Sequence, residues 1–123
     1  MNGIAQTLEE FGRGIGLAGL RTRHDGRVSL RIGAERRLDI HVQADRVLLM
    51  LMRPIAQHGR LATLLRALDD CHLRHGRSLR VSVGQSRTGE LVFITQLPET
   101  DFRPHTLEQA LDLLNRLHDN AIR

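Results

Sequence analysis

Lysine, tryptophan and tyrosine are absent from this 123-residue chain, which has only three phenylalanines and a single cysteine, Cys71. Each shortage excludes something. One cysteine forms no internal disulfide, so the fold must rest on its core, and a cytoplasmic setting is expected. With so few aromatic rings there is little surface on which bases would stack. No run approaches the roughly 20 apolar residues of a membrane span. The opening stretch carries Glu9, Glu10 and Arg13 where a signal peptide has a basic start and an apolar centre. A soluble protein is expected. Residues 1–123 fit one domain, long enough to bury roughly 65–70% of its unfolded surface.

With lysine missing, every one of the 18 basic residues is arginine, set against 14 acidic ones for a net charge of +4. The distribution is uneven. Residues 1–60 hold 10 Arg and 6 acids, residues 61–89 hold 5 and 2, and residues 90–123 hold 3 and 6. A basic body followed by an acidic end suits an acidic protein surface or, as the alternative reading, nucleic acid. The densest basic stretch is Arg21, Arg23, Arg27, Arg31, Arg36 and Arg37. If Val28, Leu30 and Ile32 face inward, Arg27 and Arg31 share the solvent face, where charge also guards a strand edge.

Periodicity lays out the elements. Ile4, Leu8, Phe11 and Ile15 step by three and four, which predicts an amphipathic helix ended by Gly12, Gly14, Gly16 and Gly19 between Arg13 and Leu17. Leu17 and Leu20 are expected to tuck back on the core, and Asp25-Gly26 to turn the chain. Val28, Leu30 and Ile32 alternate with polar residues, as do Leu38, Ile40 and Val42, giving two half-buried strands. Val47 to Met52 is apolar throughout and reads as a strand covered on both faces, one of which a partner chain could cover, and is broken by Pro54. Leu61, Leu64, Leu65 and Leu68, with Cys71 and His72, stripe a second helix ending near Gly76. Leu79-Val81-Val83 and Leu91-Phe93-Thr95, the latter with Val92 and Ile94 on its other face, flank a turn from Gly84 to Gly89. The last helix is striped by Leu107, Ala110, Leu111, Leu114 and Leu117. Its start is either a Thr106/Gln109 capping box or Pro104 in the first turn. The order α-βββ-α-ββ-α, with short antiparallel connections, indicates an α+β fold in which helices pack on a twisted antiparallel sheet.

Chemical constellations do not assemble. Gly14-Ile15-Gly16-Leu17-Ala18-Gly19 spells G-x-G-x-x-G, but it follows a helix instead of a strand, so a glycine-rich helix terminator is the reading. Cys71, His72 and His75, with His58 upstream, lack the second ligand pair of a zinc site. Only His75 shares a helix face with Cys71, and Asp69-Asp70 diverge as helix neighbours. No catalytic residue, cofactor or metal is expected, and the chain is read as a non-enzyme.

Several segments together resemble the class I type III secretion chaperones of the Tir-chaperone (CesT-like) family. The opening helix from Ile4 to Phe11 leads to Gly16-Leu17, similar to the family's helix and its exit. Leu38-Asp39-Ile40-His41-Val42 followed by Val47-Leu48-Leu49-Met50-Leu51 resembles its central strand pair. The hairpin Leu79 to Leu97 and the acidic helix Leu107 to Leu117 resemble its ending. The SycN-type members, which serve the gatekeeper of the secretion channel, are the most similar. The basic charge departs from the mostly acidic family and bears on partner choice. The resemblance implies a small dimer, either a homodimer or a heterodimer with a co-chaperone, without enzymatic activity. It implies that the chain holds the N-terminal region of a secreted effector or gatekeeper extended and presents it to the export apparatus. Strand addition at sheet edges and apolar grooves would serve that purpose. It further implies a dimer seam at Leu61, Leu64, Leu65 and Leu68, and client contacts at Ile4, Leu8, Phe11, Leu30 and Ile32.

Overall fold

Each alternating run becomes a strand in the computed structural model, which describes residues 2–15, 26–73 and 79–122. The chain runs α1 (Asn2–Gly14), β1 (Arg27–Ile32), β2 (Arg36–Val42), β3 (Arg46–Pro54), α2 (Arg60–Leu73), β4 (Val81–Gln85), β5 (Glu90–Pro98), a 3-10 turn (Glu99–Asp101) and α3 (Pro104–Ile122). The five strands form one sheet ordered β1-β2-β3-β5-β4 with every neighbouring pair antiparallel. Because β3 and β4 both run antiparallel to β5 between them, they are parallel to each other. α2 makes that crossover.

Register assigns every side chain to a face. Leu30 pairs with Leu38, Leu38 with Leu51, Leu51 with Phe93 and Phe93 with Val83, so one apolar row crosses the whole sheet. Above it lie Leu8 and Phe11 of α1 and Leu107, Ala110, Leu111, Leu114 and Leu117 of α3, all in one buried cluster. Each fully buried Leu contributes roughly 1.5–3 kcal/mol. Among its described side chains, α2 adds only Ala67 to the buried set. α1 is pinned by the buried Thr7 hydroxyl, which donates to the Phe102 carbonyl at 3.0 Å. Arg66 of α2 donates from Nε to the Ala121 carbonyl at 3.0 Å and ties α2 to the end of α3.

Three expectations change. β4 continues through Gly84 and Gln85, which pair with Val92 and Leu91, so the turn begins only at Ser86. There Ser86 N–H donates to Glu90 O and Gly89 N–H to Ser86 O. Glycine without a side chain is tolerated in a strand whose partners are bulky. Thr106 is no cap, because α3 starts at Pro104 and the Leu107 amide donates to the Arg103 carbonyl; proline's missing N–H costs nothing at that position. β3 is covered by helices on one face only, since Leu48 and Met50 on the other remain half-buried. The Leu17, Leu20, His75 and Gly76 expectations, and all of the G-x-G-x-x-G match after Ile15, lie outside the described residues. So does the side chain of His72.

Gly26 enters β1 at φ +81°, where a β-carbon would sit 2.8 Å from the Val42 carbonyl oxygen, which is backbone and unable to swing away. That strand end is also held by Val42 N–H donating to Gly26 O at 2.8 Å. Gly26→Ala should therefore lower stability by about 1–3 kcal/mol in urea unfolding. Gly33→Ala, at φ +70° in open space, should cost only about 1 kcal/mol.

Candidate interaction surfaces

Among the described residues, two apolar surfaces remain after the core is accounted for. The first is on α2. Leu61, Leu65 and Leu68 are 70%, 52% and 50% exposed, while Leu64 and Cys71 on the adjoining face are half-buried against the core. A helix with apolar residues on both faces buries one in its own domain and offers the other outward. Three leucines on one face are far more than the scattered exposed apolar residue of an ordinary surface.

The second is the face of the sheet that carries no helix among the described residues. Leu48, Met50 and Met52 of β3 stand beside Gln96, Ile94 and Val92 of β5 in register. Met52 and Val92 are buried, with the Arg37 guanidinium donating to the Met52 sulfur at 3.0 Å; Leu48, Met50 and Ile94 are half-buried. Exposed arginines lie along one side and at one end of this strip: Arg27 and Arg31 on β1, Arg37 on β2, and Arg46 at the start of β3. Arg37 lies 3.4 Å from Asp39 and 3.8 Å from Glu90, and Arg46 lies 3.3 Å from Asp45. Arg27, Ser29, Arg37, Asp39, His41 and Met50 line a shallow cavity of about 380 Å³ on this face.

On the opposite side, the exposed charges of α1 and α3 are mostly acidic. α1 and α3 expose Glu9, Glu10, Glu108, Asp112 and Asp119 against Arg13 and Arg116. Beneath them, Arg36 bonds Asn115 and Asp119, and Arg53 reaches Asp119 at 3.9 Å, so charged pairs fasten α3 to β2 and β3. His118 is fully buried between them. Its Nε2–H donates to the Leu51 carbonyl at 2.7 Å, its ring stands edge-on to Phe93 at 4.7 Å, and Nδ1 has no partner among the described residues. Burial pushes its pKa down to about 4; the Leu51 hydrogen bond opposes the shift, and Arg36 and Arg53 reinforce it.

Of the residues named from the sequence, Leu61, Leu65 and Leu68 lie together on the exposed face of α2, with Leu64 turned inward. Leu8, Phe11 and Leu30 are in the core at 0%, 1% and 6% exposure, while Ile4 and Ile32 are half-buried beside it. The helix-free strip was legible in part, since the apolar run Val47 to Met52 asks for cover on both faces and Val92 and Ile94 alternate opposite Leu91 and Phe93. His118 was missed, although it continues the Leu111, Leu114 spacing by four.

With this geometry, the sequence profile of the type III secretory system chaperone SycN family matches residues 3–122. The chain belongs to that family. It is a type III secretion chaperone by family, and the fold agrees with solved chaperone structures. It is similar to a chain in the complex of the Yersinia pestis type III secretion chaperone SycH with a stable fragment of YscM2, with TM-score 0.71 and 16% identity over 95% of this chain and 98% of that one. It is also similar to a chain in the heterodimeric ExoU–SpcU complex from the type III secretion system of Pseudomonas aeruginosa, with TM-score 0.67 and 16% identity over 94% of each chain. The HopA1–SchA chaperone–effector complex gives TM-score 0.68 and 19% identity over 94% of this chain and 91% of that one. No curated protein matches the chain. Among the described residues no helix is long and apolar enough to cross a membrane.

Proposed function

We propose that this SycN-family chaperone acts in the cytoplasm as a single-domain, non-enzymatic subunit of a dimer. It holds the N-terminal segment of a secreted effector or gatekeeper unfolded for export. The exposed leucine stripe of α2 carries the reading. Leu61, Leu65 and Leu68 pack on the partner subunit, and Leu64 supports them from the half-buried side. β1 and β4 are the outer strands of the sheet among the described residues, and their outer edges accept an extended client by strand addition. Ile32 on β1 and Ile4 on α1 are half-buried and offer apolar contact, packed against the core that holds Leu30, Leu8 and Phe11. Binding of this kind needs no catalytic group, metal or cofactor.

The test is the mass in solution by light scattering. The chain alone, or paired with a co-chaperone, should run at about twice the 13.9 kDa of one subunit. Leu65→Asp places a carboxylate in the centre of the seam and should weaken the dimer about 30-fold or more. A wild-type chain that stays monomeric at all concentrations, with and without a co-chaperone, overturns the reading. Separately, N-terminal fragments of secreted substrates should co-purify with the wild-type chain.

A further inference from the structure

The two outer strands of the described sheet are not anchored alike. β1 buries Val28 and Leu30 in the core. None of the five residues of β4 is buried: Val81, Val83 and Gly84 are half-buried, and Ser82 and Gln85 are exposed. The backbone of β4 pairs with β5 alone among the described strands, and the Thr95 hydroxyl of β5 donates to the Arg80 carbonyl at 2.7 Å. Against β4 lies α2, the helix with the least hold on the core. Among its described side chains only Ala67 is buried, with Leu64 and Cys71 half-buried, while three leucines point outward. A partner on that face would therefore cover more of the apolar surface of α2 than its own domain does.

Where α2 meets the hairpin, the contact carries a penalty. The Arg60 guanidinium lies on Gly89 of the β4–β5 turn, where a β-carbon would stand 2.8 Å from Nη2. Arg60 Nε is buried there without a hydrogen-bond partner among the described residues. An unpaired buried donor opposes the docking that buries it, and undocking α2 returns that group to water. On the other side the tie from Arg66 Nε to the Ala121 carbonyl comes from an exposed side chain. Segments with few buried apolar contacts open first, and contiguous segments open as cooperative units. Opening these two would leave the rest intact, because the buried cluster takes one alanine from α2 and nothing from β4.

We propose that α2 and β4 form one low-stability unit that the partner subunit locks in place, so that the outer edge of β4 is ordered only in the dimer while the edge of β1 stands in either state. This rests on the dimer reading and adds a regulation to it: assembly switches on one of the two edges offered to an extended client. The linkage is thermodynamic. A partner that binds only the docked form of α2 draws the equilibrium toward that form by its own binding free energy.

The test is hydrogen–deuterium exchange read by mass spectrometry on the wild-type dimer, with a co-chaperone where one is needed, and on Leu65→Asp. In the variant α2 and β4 should exchange about 100-fold faster than in the dimer, and in step with each other. β1, β2 and β3 should change by less than about threefold, which also shows that the variant is folded. Dilution of the wild-type dimer through its dissociation should reproduce the pattern without any substitution. Arg60→Met in the Leu65→Asp background removes the unpaired donor, keeps an apolar stem and should slow exchange of α2 and β4 together by about tenfold. A monomer in which α2 and β4 stay as protected as β3 overturns the proposal. So does exchange that rises across β1, β2 and β3 as well, α2 opening while β4 stays protected, or Arg60→Met slowing α2 alone. The mass in solution separates the two readings. A dimer that dissociates without loosening α2 and β4 leaves the dimer reading standing and removes this one, whereas a chain that forms no dimer under any condition removes both.

Discussion

Phe93→Ala is expected to lower the stability of the chain by about 3–5 kcal/mol. Phe93 lies in β5, is fully buried and sits in register between Leu51 of β3 and Val83 of β4. Its truncation opens a cavity where three strands meet α3, and the His118 ring loses its edge-on partner at the same time. The walls are strands paired on both sides, so they collapse poorly into the gap. Ile94→Ala, the next residue on the half-buried opposite face, should cost only about 1 kcal/mol. Urea unfolding of both variants checks the assignment of faces. Equal losses would mean that the helix-free side is packed as fully as the core.

Acidification should destabilise the wild-type chain through His118, by about 3 kcal/mol between neutral pH and pH 4. The unfolded histidine takes up a proton near its ordinary value of 6.5, whereas in the folded chain burial holds the ring neutral down to about 4. Between those values the unfolded state binds the additional proton, so stability falls as pH falls, and this contribution levels off below about 4. His118→Gln keeps a donor for the Leu51 carbonyl and cannot titrate. It should show a shallower decline than wild type over the same window when urea midpoints are compared at several pH values. Identical pH profiles for the two proteins would exclude His118 as the source.

The alternation of β1 and β2 made those strands legible in the sequence, and α3 announced itself through Leu107, Leu111 and Leu114. Periodicity says that a face is apolar, not what it faces, and this limits the reading of surfaces. The stripe of α1 and the stripe of α2 look alike on paper. Leu8 and Phe11 proved to be core, whereas Leu61, Leu65 and Leu68 are exposed. The difference is tertiary: α3 lies against α1 and closes over its stripe, while α2 needs only Leu64, Ala67 and Cys71 to reach the core. Gly84 and Gln85 read as turn residues because glycine breaks strands in isolation; pairing with Leu91 and Val92 overrides that preference. His118 was hidden because its role depends on a carbonyl in β3, far away in the chain.

The strand order also sets a schedule for synthesis. β1, β2 and β3 form a meander of sequence neighbours, but the outer edge of β3 waits for β5, because β4 does not touch it. Until residue 98 has left the ribosome, nine residues of β3, including Val47, Leu48, Leu49, Met50, Leu51 and Met52, present an unpaired apolar edge. α3, which covers the core, emerges later still. The nascent chain therefore passes through a stage in which it resembles the unfolded cargo of a chaperone more than a chaperone itself, and its own rescue depends on its last strand and helix.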